Sequence, residues 1–244
     1  MTRILDIKAV GKRFGGFVAL DNVDLAVAAG ERVGLIGPNG SGKSTLVNCI
    51  CGALQNDSGT VHFDGVPLNG LQPHQRTYQG LARSFQLPRP FATMSVADNI
   101  RIPLLFAVHT RRGHHLSAAE ADRRCHELAH SVGLGDKSDH APSSLTQVEM
   151  RKLELARAMA ADPKLLIADE AMAGLSDSEV DDIVNLLLRL NAEGVTIIMI
   201  EHIMKAVLNF SQRLVVLVSG RKIADGLPED VLRHPDVERA YLGQ

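Results

Sequence analysis

A chain of 244 residues, 45% of them hydrophobic, has enough apolar material for one large domain or for a core with an inserted subdomain. Its 26 Lys and Arg against 28 Asp and Glu leave a formal charge of −2, which gives no general reason to expect nucleic-acid binding. The three cysteines (Cys49, Cys51, Cys125) make no disulfide framework and read as reduced core thiols, "MTRILDIKAV" has no apolar signal core, and no stretch approaches the ~18 apolar residues of a membrane span, so a soluble cytosolic chain is expected.

In chain order, Ile4–Phe14 and Ala19–Gly30 alternate apolar and polar residues and predict strands. "ERVGLIG", Glu31–Gly37, is a short apolar run closed by glycine, as a buried strand would be. "GPNGSGKST", Gly37–Thr45, follows at once, and "GTVHFDGVPL" returns to strand with a turn at Asp64-Gly65. From about Met94 to Ala161 the pattern becomes helical. "SVADNIRIPLLFAV" is apolar at helical spacing, "HTRRGHH" is a basic loop, and Ser117 followed by Glu120 is a capping-box pattern opening another helix. "PKLLIADE" and "GVTIIMIEH" are again buried strands, with an amphipathic helix over Asp177–Asn191 between them. The order predicts an α/β core interrupted by a helical insertion.

The Gly37–Thr45 stretch fits G-x-x-x-x-G-K-[ST] between a predicted strand and a helix. A polyphosphate needs several donors at close range, and glycines let backbone N–H groups curl around it while the helix dipole adds its positive end. Gly37, Asn39, Gly40, Ser41, Gly42, Lys43, Ser44 and Thr45 are therefore candidate nucleotide-binding residues. Lys43 is expected to reach the β and γ phosphates and Ser44 to ligate Mg²⁺. Asp169, at the carboxyl end of a buried strand, can hold that metal through water, and Glu170 can orient or activate the attacking water. His202 ends another buried strand, where it could hydrogen-bond the γ-phosphate.

With these motifs in order, the chain resembles the ATP-binding subunits of ABC transporters over essentially its full length. The resemblance is carried by "RFGG", "GPNGSGKST", "RSFQ", residues 143–159, "LLIADE", "AGLS" and "IEH". It implies a P-loop NTPase ABC cassette of α/β class, with an N-terminal antiparallel β subdomain and an inserted α-helical subdomain. The nucleotide-binding core would comprise residues 1–86 and 161–244, and the insertion residues 87–160. It further implies that Phe14 stacks on adenine, that Gln86 reaches the metal and couples it to the insertion, and that Asp169, Glu170 and His202 are the Mg²⁺ acid, catalytic carboxylate and switch histidine. ATP and Mg²⁺ are the implied cofactors.

The stretches "RFGGFVALDNV", "RSFQLPRPFATMSVADNI" and "HPDVERAYLG" resemble the cassettes of importers for branched-chain amino acids and related small amides. Lipopolysaccharide-export cassettes share part of this pattern, and ABC proteins acting on DNA or ribosomes are the non-transport alternative. A GTPase is disfavoured by the lack of Asn-Lys-x-Asp. The implied partners are membrane permease subunits, a second cassette and, indirectly, a solute-binding protein, with the chain peripheral on the inner face of the cell membrane.

Three segments depart from the family pattern. The Leu-Ser-Gly-Gly-Gln signature aligns with Leu145, Thr146, Gln147, Val148 and Glu149; the proline after the catalytic glutamate is Ala171; and the acid after "GL" is Ser176. Bulky residues at both glycine positions predict a weakened sensor of the partner's ATP, through backbone that would need φ > 0. The partner cassette is accordingly expected to be a different chain with an intact signature, a homodimer remaining open.

Overall fold

The computed structural model describes residues 2–85, 88–108 and 116–242. The first two strands, β1 (Arg3–Phe14) and β2 (Phe17–Ala28), form an antiparallel hairpin turning at Gly15-Gly16. Next come β3 (Arg32–Ile36), helix α1 (Lys43–Cys51), β4 (Ser58–Phe63) and β5 (Val66–Pro67). The turn between β4 and β5 uses Asp64 and Gly65 in the left-handed region, as the Asp-Gly pair predicts. These strands make an antiparallel sheet in the order β2-β1-β4-β5.

After α2 (Pro73–Gln79) and β6 (Leu81–Ser84) the chain leaves the core and builds α3 (Val96–Pro103), α4 (Ala118–Ser131) and α5 (Gln147–Ala160). It returns through β7 (Leu165–Asp169), α6 (Asp177–Ala192), β8 (Thr196–Ile200), α7 (Met204–Phe210), β9 (Arg213–Val218) and β10 (Arg221–Gly226). The described C-terminal part ends with α8 (Pro228–Leu232) and α9 (Pro235–Leu242). The second sheet has the order β10-β9-β3-β8-β7-β6, parallel except for β10.

The parallel strands read as continuous apolar runs because both faces are buried. Leu165 and Ile167 pack toward α1 and the antiparallel sheet, whereas Leu166 and Ala168 join the cluster formed with α3, α5 and α6. Ile198 and Ile200 against Ile197 and Met199 repeat the division on β8. One apolar cluster thus runs from the sheet into the inserted helices, so the insertion is packed onto the core.

Two of the three inserted helices begin at serine caps: Ser95 accepts from the Asp98 N–H, and Ser117 from that of Glu120. The expected helix over 95–108 is continuous but not uniform. α3 reaches Pro103, and Leu104–Val108 continue as a π-helical turn, the wider turn expected where proline withholds its N–H. "HTRRGHH" lies outside the described residues. No helix among the described residues is long and apolar enough to cross a membrane.

Strands β3, β7 and β8 all end on the same edge of the sheet. The loops leaving that edge carry Gly37–Gly42, Glu170–Ser176 and Glu201–Ile203, at the carboxyl ends where open α/β sheets bind ligands.

Candidate functional site

The loop between β3 and α1 curls because its glycines are left-handed. Gly37, Gly40 and Gly42 have φ of 153°, 77° and 103°. A Cβ on Gly37 would lie 2.1 Å from the Leu217 carbonyl oxygen, and one on Gly42 2.7 Å from that of Ala19, so both positions exclude a side chain twice over. Lys43, only 6% exposed, donates to the carbonyls of Gly37 at 2.7 Å and Pro38 at 3.1 Å. Burial pushes its pKa down, opposed by the nearby carboxylates of Glu170 and Asp169.

A cavity of about 230 Å³ opens over this loop, lined by Asn39–Thr45, Phe17, Glu170 and His202. Phe14 is not among its lining residues, whereas Phe17 is. The two phenylalanines are partners in the β1–β2 register, and residues directly opposite on paired strands share a face. The sequence "FGGF" carried that signal: a tight glycine turn places its flanking residues opposite one another.

Asp169 closes β7, and its Oδ2 accepts from Arg83 Nη2 at 2.5 Å and Nε at 3.2 Å. Arg83 also donates to Asn48 Oδ1 at 2.7 Å and lies over the Phe85 ring. The expected metal acid therefore already has a cation on it, a pairing that sequence reasoning missed because β6 and β7 meet only in the folded sheet. Ser44, Asp169 and Glu170 line a second cavity of about 520 Å³, with Arg83, Arg89 and Arg157 on its walls. A hydroxyl and a carboxylate are hard oxygen donors that suit Mg²⁺. Among the described residues no group of three or more His, Cys, Asp or Glu is placed to hold a metal ion. Gln86 lies outside the described residues.

Glu170 sits just past β7 with φ 48°, a left-handed conformation that costs a non-glycine residue roughly 1–3 kcal/mol. Its N–H is held by the Ile200 carbonyl at 2.9 Å, and its Oε1 is 3.1 Å from His202 Nε2. The residue expected to orient the attacking water and the one expected to bond the γ-phosphate are thus neighbours. Glu201, between them and β8, is 4% exposed and accepts the Met172 N–H at 2.9 Å.

The 145–149 loop corrects one expectation. No residue in it has positive φ: Leu145 is at −82° and Thr146 at −68°. Thr146 caps α5, accepting the Glu149 N–H, while Glu149 accepts the Thr146 N–H at 2.8 Å, and Lys137 grips both Glu149 oxygens at 2.7 Å. Lys137 holds the Glu149 carboxyl below its ordinary pKa. Gln147 and Val148 occupy the first helical turn, where N–H groups have no intrahelical acceptor. The glycine replacements therefore add bulk without removing backbone donors. Gln147 also turns back onto the Ala173 carbonyl and lies over Gly174, and Ser176 caps α6.

The family described as "ABC transporter" matches residues 20–173, and a C-terminal family described as "Branched-chain amino acid ATP-binding cassette transporter" matches residues 221–244. The chain is 36% identical to the high-affinity branched-chain amino acid transport ATP-binding protein BraF of Pseudomonas aeruginosa, covering 99% of this chain and 98% of that protein. It is 35% identical to the corresponding protein LivG of Escherichia coli K12 at the same coverage. Among solved structures, the ADP conformation of MJ1267, an ATP-binding cassette of an ABC transporter, superposes with a TM-score of 0.89 at 32% identity over 100% of both chains. MJ0796, in a dimeric post-hydrolysis state bound to ADP and Pi, gives a TM-score of 0.81 at 27% identity, covering 91% of this chain and 98% of that one. The phosphate-cradling loop and paired acids thus sit in a chain that belongs, over its whole described length, to the ABC transporter family, as an ATP-binding and ATP-hydrolysing cassette.

Proposed function

We propose that this cassette drives an importer for branched-chain amino acids or related small amides, through separate permease subunits at the inner face of the cell membrane. The observation that carries the substrate class is the match of residues 221–244 to the branched-chain cassette family, added to full-length relatives that bear that name. A second cassette completes the assembly head to tail, and a solute-binding protein delivers the solute to the permease.

In this reading Lys43 leaves the loop carbonyls for the β and γ phosphates, which are stronger acceptors, while Gly37, Asn39, Gly40, Ser41, Gly42 and Thr45 supply the cradle. Phe14, with Phe17 beside it, stacks on the base. Ser44, Asp169 and Gln86 would hold Mg²⁺, whose charge offsets that of the phosphates. Glu170 orients the attacking water and takes its proton; His202, 3.1 Å away, steadies that carboxylate and contacts the γ-phosphate. Residues 87–160 act as the insertion that passes the movement on, through an apolar surface at Phe91 and Met94, 44% and 36% exposed.

Reconstituting the assembly in vesicles tests the reading. ATP-dependent uptake of leucine is expected, and a cysteine replacing exposed Thr93 should cross-link to the permease with an efficiency that varies with nucleotide. Uptake confined to an unrelated solute, or outward lipid movement, would overturn the substrate class.

A further inference from the structure

The residue after the catalytic carboxylate is alanine, so nothing covalent stiffens the turn that holds Glu170 left-handed at φ 48°. That turn is secured otherwise. Its entry is held by the Glu170 N–H on the Ile200 carbonyl at 2.9 Å. Its middle is held by the Met172 N–H on Glu201 Oε1 at 2.9 Å, wholly inside the protein. Its exit is held by the Ala173 carbonyl, which accepts from Arg151 Nη2 at 3.1 Å on the first turns of α5. Glu201 directly precedes His202, the other residue at the reacting position.

We propose that Glu201 is a positioning residue for hydrolysis: its buried carboxylate, by accepting the Met172 N–H, holds the turn that aims Glu170 at the nucleotide beside His202. Through Ala173 and Arg151 the same turn is joined to the helix that follows the signature loop.

A carboxylate is a poor choice for this place if stability were the only demand. It is 4% exposed and faces the like charge of Glu170, with Arg151 as the opposing cation. An apolar side chain of the same size would bury more favourably, but it would leave the Met172 N–H without its acceptor, in the turn that carries Glu170. The arrangement therefore gives up stability to fix the geometry of a functional loop.

The inference rests on Glu170 being the catalytic carboxylate, and the test separates the two. ATP hydrolysis and ATP binding are measured on the full-length chain, in the assembly that supports its hydrolysis, for Glu201→Leu, Glu201→Gln and Glu170→Gln. Glu201→Leu keeps the volume and removes the acceptor: kcat should fall at least tenfold while ATP affinity stays within twofold and the melting temperature is not lowered. Glu201→Gln keeps an oxygen for the Met172 N–H and should recover at least half of the wild-type kcat. Wild-type turnover in Glu201→Leu, or an affinity loss as large as its turnover loss, would overturn the positioning role. If Glu170→Gln itself turned over at the wild-type rate, the assignment of Glu170 would fail, whatever Glu201 did.

Discussion

Replacing Glu201 by Gln should make stability less sensitive to alkali, by an amount the structure sets. Burial pushes this carboxyl up to about 7 from 4.5, with the charge of Glu170 adding to the effect. A carboxyl with a raised folded-state pKa binds its proton more tightly in the fold than in the unfolded chain. Its contribution is therefore fully favourable below about pH 4.5, declines as pH rises from there to about 7, and is level above. At 1.36 kcal/mol for each tenfold change in proton affinity, the interval comes to roughly 3 kcal/mol. Glu201 is 4% exposed, so solvent does little to screen it. Gln does not titrate, so this pH dependence is absent from the mutant. The difference in melting temperature, mutant minus wild type, should grow by roughly 5–10 °C between pH 5 and pH 8, at about 2–4 °C per kcal/mol for a chain of this size. Calorimetry or dye-monitored melting without nucleotide across that range is sufficient. A difference that stays flat with pH, or shrinks as pH rises, would refute the burial argument.

Lys43→Ala should abolish tight nucleotide binding without unfolding the chain, because the lysine's own partners are loop carbonyls and not the core; unchanged affinity by calorimetry would contradict this. Arg83→Met leaves Asp169 buried without its cation, so thermal protection by Mg²⁺ with ATP should reach half-maximum at lower Mg²⁺ than in the wild type, and an unchanged or higher midpoint would count against competition for that carboxylate. Gln147→Gly with Val148→Gly should raise hydrolysis at the partner cassette's site severalfold in the assembled complex. An unaltered homodimer that already hydrolyses ATP as fast as the complex would show that this loop is not impaired.

That the Gly37–Gly42 loop, Asp169, Glu170 and His202 gather at one edge of the sheet was legible because each lies at the end of an apolar run. Contacts made across strands were not. Arg83 and Asp169 are 86 positions apart and meet because β6 pairs with β7, an order no local pattern encodes. β6 itself is only four residues long, too short for a periodicity to declare it. The 145–149 loop shows a different kind of miss. Reading it against a glycine-containing motif led to an expected left-handed backbone, whereas Thr146 and Glu149 are a plain S/T-x-x-E capping box that starts a right-handed helix. The residues said so; the comparison with the motif obscured it. Phe17, which lines the cavity over the loop, was not singled out, although the two-glycine turn places it opposite Phe14.

Because the first-turn N–H groups of α5 belong to the main chain, their number does not change when Gln147 or Val148 mutates to anything but proline. Substitution at these positions alters how near another surface can come, not what it meets on arrival. The loop is in that sense a spacer of adjustable thickness. A smaller residue at either position would thin that spacer without adding or removing a main-chain donor.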